Sequence, residues 1–100
     1  MVALLSIAGS PLLATGQVAR GNPVVGAALA KRWCSQCHLV GDSGTATDAA
    51  PTFESIAHDP SATSERLQAF LAKPHRSMPP LPVSGTEADD LIAYIRQLAR

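Results

Sequence analysis

The stretch Cys34-Ser35-Gln36-Cys37-His38 decides how the rest of this sequence is interpreted. It contains both cysteines of the chain, separated by two residues and followed directly by a histidine. The spacing C-x-x-C-H is typical of covalent haem c attachment, because one turn of chain presents two thiols to the two vinyl groups and the next residue offers an imidazole to the iron. We therefore predict thioether bonds from Cys34 and Cys37 and axial ligation of the iron by His38.

The same cysteines allow other interpretations. Trp33 followed by Cys-x-x-Cys resembles a thioredoxin-type redox pair, but that motif needs a βαβ context and no segment here alternates long enough to predict a strand. A structural zinc site needs a second close pair of ligands, whereas the remaining histidines, His58 and His75, lie far apart in the sequence. A disulfide between Cys34 and Cys37 would close a loop with only two intervening residues, so it would stabilise the fold very little. The motif favours haem.

A second axial ligand is needed if the iron is to transfer electrons rather than bind small molecules. Apart from Met1, the sequence has one methionine, Met78, within the segment Ser-Met-Pro-Pro-Leu-Pro at 77–82. Methionine usually fills gaps in a core, but these prolines stiffen the backbone and would hold the thioether in place. We predict Met78 as the sixth ligand, with His75 as the alternative and His58 less favoured.

Composition limits the chain to one small domain. The 100 residues carry 8 basic and 8 acidic side chains, which gives a net charge of zero and excludes a polybasic surface for nucleic acid or membrane. The charged fraction of 16% and the frequent proline and glycine exclude a long coiled coil and a highly charged disordered chain. A chain this short buries little apolar surface. We therefore expect something other than side chains to fill its core.

The first 19 residues contain no charged side chain, and Arg20 is the first. An apolar run that ends in small residues is typical of a secretory signal peptide, although the usual basic residues at its start are missing here. We predict a signal peptide over residues 1–16, with a short anchor as the alternative, and a monohaem domain over residues 17–100. The predicted location is the periplasm or another exported compartment.

The remaining pattern predicts an all-α fold of about three helices and long loops wrapped around covalent haem. Asn22 and Pro23 start the first helix, whose apolar stripe comprises Val25, Leu29 and Trp33. The second helix covers about 64–73. Thr86 and Asp89 resemble a capping box for the last, which runs to about Ala99 and buries Ala88, Leu91, Ile95 and Leu98.

From about Asn22 to Arg100 the chain resembles a class I cytochrome c. The matching residues, in chain order, are Gly26, Cys34-x-x-Cys37-His38, Ala50-Pro51, Met78-Pro79, Leu91 and Tyr94. The resemblance implies that the Pro51 carbonyl bonds the second ring nitrogen of His38, and that Gly26 lets the first helix cross closely over the last. One residue departs from the pattern, because Ala30 stands where the family often has an aromatic.

The resemblance also implies a function. We expect a one-electron carrier that is not an enzyme, acts as a monomer and docks transiently with a redox donor and acceptor. One alternative is a dedicated haem subunit of a dehydrogenase or oxidase complex, associated with a membrane. Another is a gas-binding or peroxidatic protein, if Met78 does not bind iron. Lys31, Arg32, Lys73 and Arg76 lie beside the motif segments. One interpretation is a basic rim that steers an acidic partner; because the net charge is zero, we favour an ordinary solvated face.

Overall fold

The computed structural model describes residues 21–45, 50–73 and 78–100, and in these ranges the chain forms four helices and no extended strand. They are α1 (Pro23–Trp33), α2 (Phe53–Ala57), α3 (Ser64–Ala72) and α4 (Gly85–Gln97). This confirms the all-α class. The signal peptide predicted over residues 1–16 lies outside the described residues. None of these four helices has the length and apolarity needed to cross a bilayer.

The first and third helices begin where the sequence predicts. The side-chain oxygen of Asn22 accepts hydrogen bonds from the N–H groups of Val24 at 2.9 Å and Val25 at 3.3 Å, and Pro23 occupies the first helical position. In α3, Thr63 is the cap and its hydroxyl accepts from the N–H of Arg66 at 3.1 Å. Local capping chemistry therefore sets both starting points.

The start of α4 differs from the prediction. Ser84, not Thr86, is the cap: its hydroxyl accepts from the N–H of Glu87 at 3.1 Å, and the Glu87 carboxylate accepts from the N–H of Ser84 at 3.0 Å. The predicted pair of Thr86 and Asp89 is wrong because both residues already lie inside the helix. The reciprocal bonds of a true capping box begin one residue before the first helical turn.

The short helix α2 lies in a segment that is predicted to be a loop. Thr52 caps it by accepting from the N–H of Ser55 at 3.0 Å, and Phe53 at its first position is 5% exposed. Five residues are too few to show a helical period, so hydrophobic spacing does not reveal this element.

Helices α1 and α4 cross closely at Gly26. A Cβ atom on Gly26 would overlap the Asp90 carbonyl and lie 2.9 Å from the Cβ of Tyr94, so the contact requires glycine, as predicted. The N–H of Asn22 donates to the Asp90 carboxylate at 2.8 Å, which ties the start of α1 to α4.

The face of α1 that meets α4 is rotated from the predicted stripe. Val25 is 42% exposed, whereas Gly26, Leu29 and Ala30 are buried. The prediction that Val25 belongs to the buried stripe is wrong. The backbones of α1 and α4 approach each other at Gly26, and this approach, rather than apolar spacing alone, determines which face of α1 meets α4. Ala30 is fully buried, and Trp33 packs against the core from a half-buried position.

Candidate haem site

A cavity of about 290 Å³ lies among the end of α1, the helices α2 to α4 and the segment that begins at Met78. Most of its lining is apolar. The lining residues are Cys34, His38, Pro51, Phe53, Ile56, Asp59, Ser61, Ala62, Arg66, Leu67, Phe70, Leu71, Met78, Leu91 and Ile95. Four of the five predicted site residues therefore line one cavity; Cys37 lies beside it in the motif turn.

The motif turn continues directly from α1. The N–H of Cys34 donates to the Ala30 carbonyl at 2.8 Å, and the N–H groups of Cys37 and His38 both donate to the Cys34 carbonyl, at 3.1 and 2.9 Å. Gly44, with φ of +95°, brings the following loop close to this turn. A Cβ atom at position 44 would lie only 2.5 Å from the His38 carbonyl oxygen, so this approach requires glycine. The two cysteines and the histidine are thus held on one compact turn.

Cys34 is buried, and burial raises the pKa of its thiol to about 11. Redox-active and metal-binding cysteines depend on the thiolate and have lowered pKa values. A neutral thioether carries no charge and suits this apolar position. The environment of Cys34 therefore fits covalent attachment to a porphyrin and opposes the dithiol interpretation.

His38 is oriented by two neighbours. Its Nδ1 lies 2.6 Å from the carbonyl oxygen of Pro51, and because a carbonyl only accepts, Nδ1 carries the proton. The lone pair is then on Nε2, the nitrogen available to a metal. The ring of Phe53 meets the imidazole edge-on, with centroids 5.2 Å apart. These contacts leave His38 suited to bind iron from the wall of the cavity.

Met78 is half-buried and lines the same cavity as His38. The alternative ligand His75 lies outside the described residues. His58 is exposed and does not line the cavity; its Nδ1 lies 2.9 Å from the Glu54 carbonyl oxygen. His58 is therefore not placed to act as the alternative ligand to Met78.

No group of three or more His, Cys, Asp or Glu side chains that could hold a metal ion occurs within residues 21–45, 50–73 and 78–100. The described chain therefore offers no support for the zinc alternative. An apolar cavity with an imidazole, a buried thiol and a thioether on its wall does fit a haem.

Three polar residues of the cavity wall are not predicted as site residues from the sequence: Asp59, Ser61 and Arg66. Asp59 and Ser61 occupy the turn between α2 and α3, and Arg66 lies on α3. No motif marks them, because their proximity to the cavity depends on how α3 packs. The predicted solvated residues Lys31, Arg32 and Lys73 are exposed, and Arg76 lies outside the described residues.

The helices, the motif turn and the cavity together define a small haem protein of the c type. A family model described as cytochrome c oxidase, cbb3-type, subunit III matches residues 21–95. Cytochrome c-552 of Bradyrhizobium diazoefficiens is 49% identical over 74 residues, which cover 73% of this chain and 71% of that protein. No solved structure matches the chain.

The chain therefore belongs to this family of c-type cytochromes. It is a small monohaem cytochrome whose cofactor is covalently bound haem c, and it carries electrons rather than acting as an enzyme.

Proposed function

We propose that this cytochrome shuttles single electrons between redox proteins, with His38 and Met78 as the axial ligands. The observation that carries the proposal is that His38 and Met78 line one cavity while Pro51 holds the other ring nitrogen of His38. Haem c bound here supplies reversible one-electron transfer. A neutral thioether ligand favours the ferrous state and a high reduction potential.

The protein's contribution to this function is to keep the ligands in place and water away. The Pro51 carbonyl fixes the tautomer of His38 and raises its basicity as a ligand. Leu67, Leu91 and Ile95 are buried and line the cavity, so they present an apolar wall to a porphyrin. Ligands that keep their positions in both oxidation states would favour fast electron transfer.

We further propose that the protein is exported, with residues 1–16 as its signal peptide, and works as a monomer that docks transiently with its donor and acceptor. The exposed position of Cys37 supports docking beside the motif turn. Determining the N-terminal sequence of the periplasmic protein tests the first part. An uncleaved, membrane-bound product would favour the anchor.

The variant Met78→Leu tests the axial ligand, because it removes the sulfur and nearly conserves the volume. The parent and the variant are made alongside haem-attachment machinery, and the optical spectrum of the oxidised protein is recorded. We expect the parent to show the weak long-wavelength band of iron–methionine bonding. The variant should lose that band, have a lower potential and bind carbon monoxide when reduced, while keeping its haem.

Leu81→Ala is the control, since Leu81 is half-buried in the same segment and carries no sulfur. It should keep the band. An identical spectrum for the parent and Met78→Leu would show that Met78 is not the ligand. Carbon monoxide binding by the reduced parent would favour the gas-binding or peroxidatic alternative.

The description of the matching family favours a second candidate, a dedicated haem subunit of an oxidase. Such a subunit would have the same site and the same ligands. Purification from membranes under mild conditions separates the two: a stable, stoichiometric partner supports the subunit, and a free monomer supports the shuttle.

A further inference from the structure

The rings of His38, Phe53 and Tyr94 lie one after another across the molecule. We propose that Tyr94 is a positioning residue, which sets the plane of the His38 imidazole through Phe53. This inference rests on the proposed function, in which His38 is an axial ligand of the haem iron. The ring centroids of His38 and Phe53 are 5.2 Å apart, and those of Phe53 and Tyr94 are 6.4 Å apart. Tyr94 does not line the cavity, so its effect on the ligand requires an intermediary.

The imidazole needs a second contact to fix its plane. The hydrogen bond between Nδ1 of His38 and the Pro51 carbonyl, at 2.6 Å, holds one atom of the ring. A ring that is held at one atom can still rock about that point. The ring of Phe53 meets the imidazole edge-on at an interplanar angle of 62° and opposes this rocking. Contacts that surround a ligating histidine set the orientation of its ring.

Phe53 is itself held from two directions. Its N–H donates to the carbonyl of Leu39, the residue after His38, at 3.0 Å, which ties its backbone to the motif segment. Its side chain is 5% exposed, and the ring of Tyr94 backs it at an interplanar angle of 47°. In a close-packed interior a side chain moves little unless its neighbours move. The position of Tyr94 therefore determines where the Phe53 ring meets the imidazole.

Tyr94 is fixed at both ends of its side chain. A Cβ atom on Gly26 would lie 2.9 Å from the Cβ of Tyr94, so the base of the side chain lies against the backbone of α1. A Cβ atom on Gly41 would lie 3.4 Å from the Tyr94 hydroxyl oxygen, so the far end reaches the loop after the motif turn. Partial burial and the charge of Asp42 raise the pKa of this hydroxyl, which stays neutral at physiological pH. The ring of Tyr94 is thus held between the helix crossing and that loop.

The plane of an axial imidazole has a direct spectroscopic signature. It directs the unpaired electron of low-spin ferric iron toward particular parts of the porphyrin. The four haem methyl signals in the proton NMR spectrum of the oxidised protein therefore depend on that plane, and so do the β-methylene signals of the ligating histidine. A change in stability alone does not move these signals.

The experiment records these signals for the oxidised holoprotein of the parent, Tyr94→Leu, Tyr94→Phe and Ile92→Ala. The free energy of unfolding and the iron–methionine band are measured on the same samples. We expect Tyr94→Leu to shift the haem methyl and His38 β-methylene signals well outside their spread among the other three proteins, because Phe53 loses the ring behind it. Tyr94→Phe keeps that ring and should retain the parental pattern. Ile92 is buried on the same helix and does not line the cavity, so Ile92→Ala should lose stability and keep the pattern.

Two results would overturn the proposal: a parental pattern in Tyr94→Leu, or an equal shift in Ile92→Ala. The double variant Phe53→Leu, Tyr94→Leu tests the intermediary. It should show the same pattern as Phe53→Leu alone, since Tyr94 acts through Phe53. A further shift in the double variant would mean that Tyr94 reaches the ligand by another route, contrary to the proposal.

A second measurement decides the matter if Tyr94→Leu does not mature. In the proton NMR spectrum of the reduced parent, nuclear Overhauser effects should connect the ring protons of Phe53 to those of His38 and to those of Tyr94, and the absence of either would overturn the proposal. The iron–methionine band separates this inference from the other ligand. A parent without that band would contradict ligation by Met78 and would leave the comparison at Tyr94 intact.

Discussion

The imidazole of His38 shows how much of the site depends on single contacts. Its Nδ1 bonds a carbonyl 13 residues further along the chain, and Phe53 packs against its edge. The acceptor is the backbone carbonyl of residue 51, so the hydrogen bond does not depend on the side chain at that position. The aromatic contact does depend on a side chain, and it also extends to Tyr94, whose ring centroid lies 6.4 Å from that of Phe53.

Phe53→Ala should therefore be costly. Phe53 is 5% exposed, and truncation of a buried phenylalanine typically lowers the free energy of unfolding by about 3–5 kcal/mol. Guanidinium unfolding of the holoprotein, followed by circular dichroism, measures this change. Val24→Ala at a position that is 77% exposed is the control and should change stability by less than about 0.5 kcal/mol. Equal effects in the two variants would mean that Phe53 does not support the site.

At the scale of elements, the crossing of α1 over α4 positions the motif turn. The turn begins where α1 ends, so any displacement of α1 moves Cys34 and His38 as well. Three features hold the crossing: Gly26 allows backbone contact, Asp90 accepts from the N–H of Asn22, and Leu91 is 1% exposed beneath them.

Gly26→Ala should separate the two helices. The added Cβ would overlap the Asp90 carbonyl, which is backbone and cannot rotate away. We expect a loss of about 1–3 kcal/mol in the free energy of unfolding, measured by urea denaturation.

Gly85→Ala is the matched control for this variant. A Cβ at Gly85 would meet nothing within 4 Å, and alanine is a better helix former than glycine. The control should be neutral or stabilising. A loss of the same size in both variants would refute the close crossing.

For the whole molecule, the central question is what fills the core. Leu67, Leu91 and Ile95 are buried around a cavity of about 290 Å³. A group that fills this volume would supply apolar contacts that a chain of this size otherwise lacks. We therefore expect haem to stabilise the fold as well as to carry the electron.

The double variant Cys34→Ala, Cys37→Ala tests this expectation, because it cannot attach haem covalently. We expect it to lose most of its helical circular dichroism and its cooperative unfolding transition. Gln36→Ala keeps both cysteines at an exposed position of the same turn and should retain haem and fold. A haem-free double variant with parental helicity and a cooperative transition would contradict the prediction.

Local chemistry in the sequence determined the haem motif, the starts of α1 and α3 and the all-α class, and the resemblance to class I cytochromes c supplied the glycine of the helix crossing. The local signals each lie within one segment of the chain, and the resemblance placed them in order. Tertiary structure decided the rest: the helix that begins at Phe53, the outward position of Val25, the cap at Ser84 in place of Thr86 and the presence of Arg66 on the cavity wall. The physical reason is that a cavity wall and a contact face arise when helices pack, and packing joins residues whose separation along the chain carries no periodic signal.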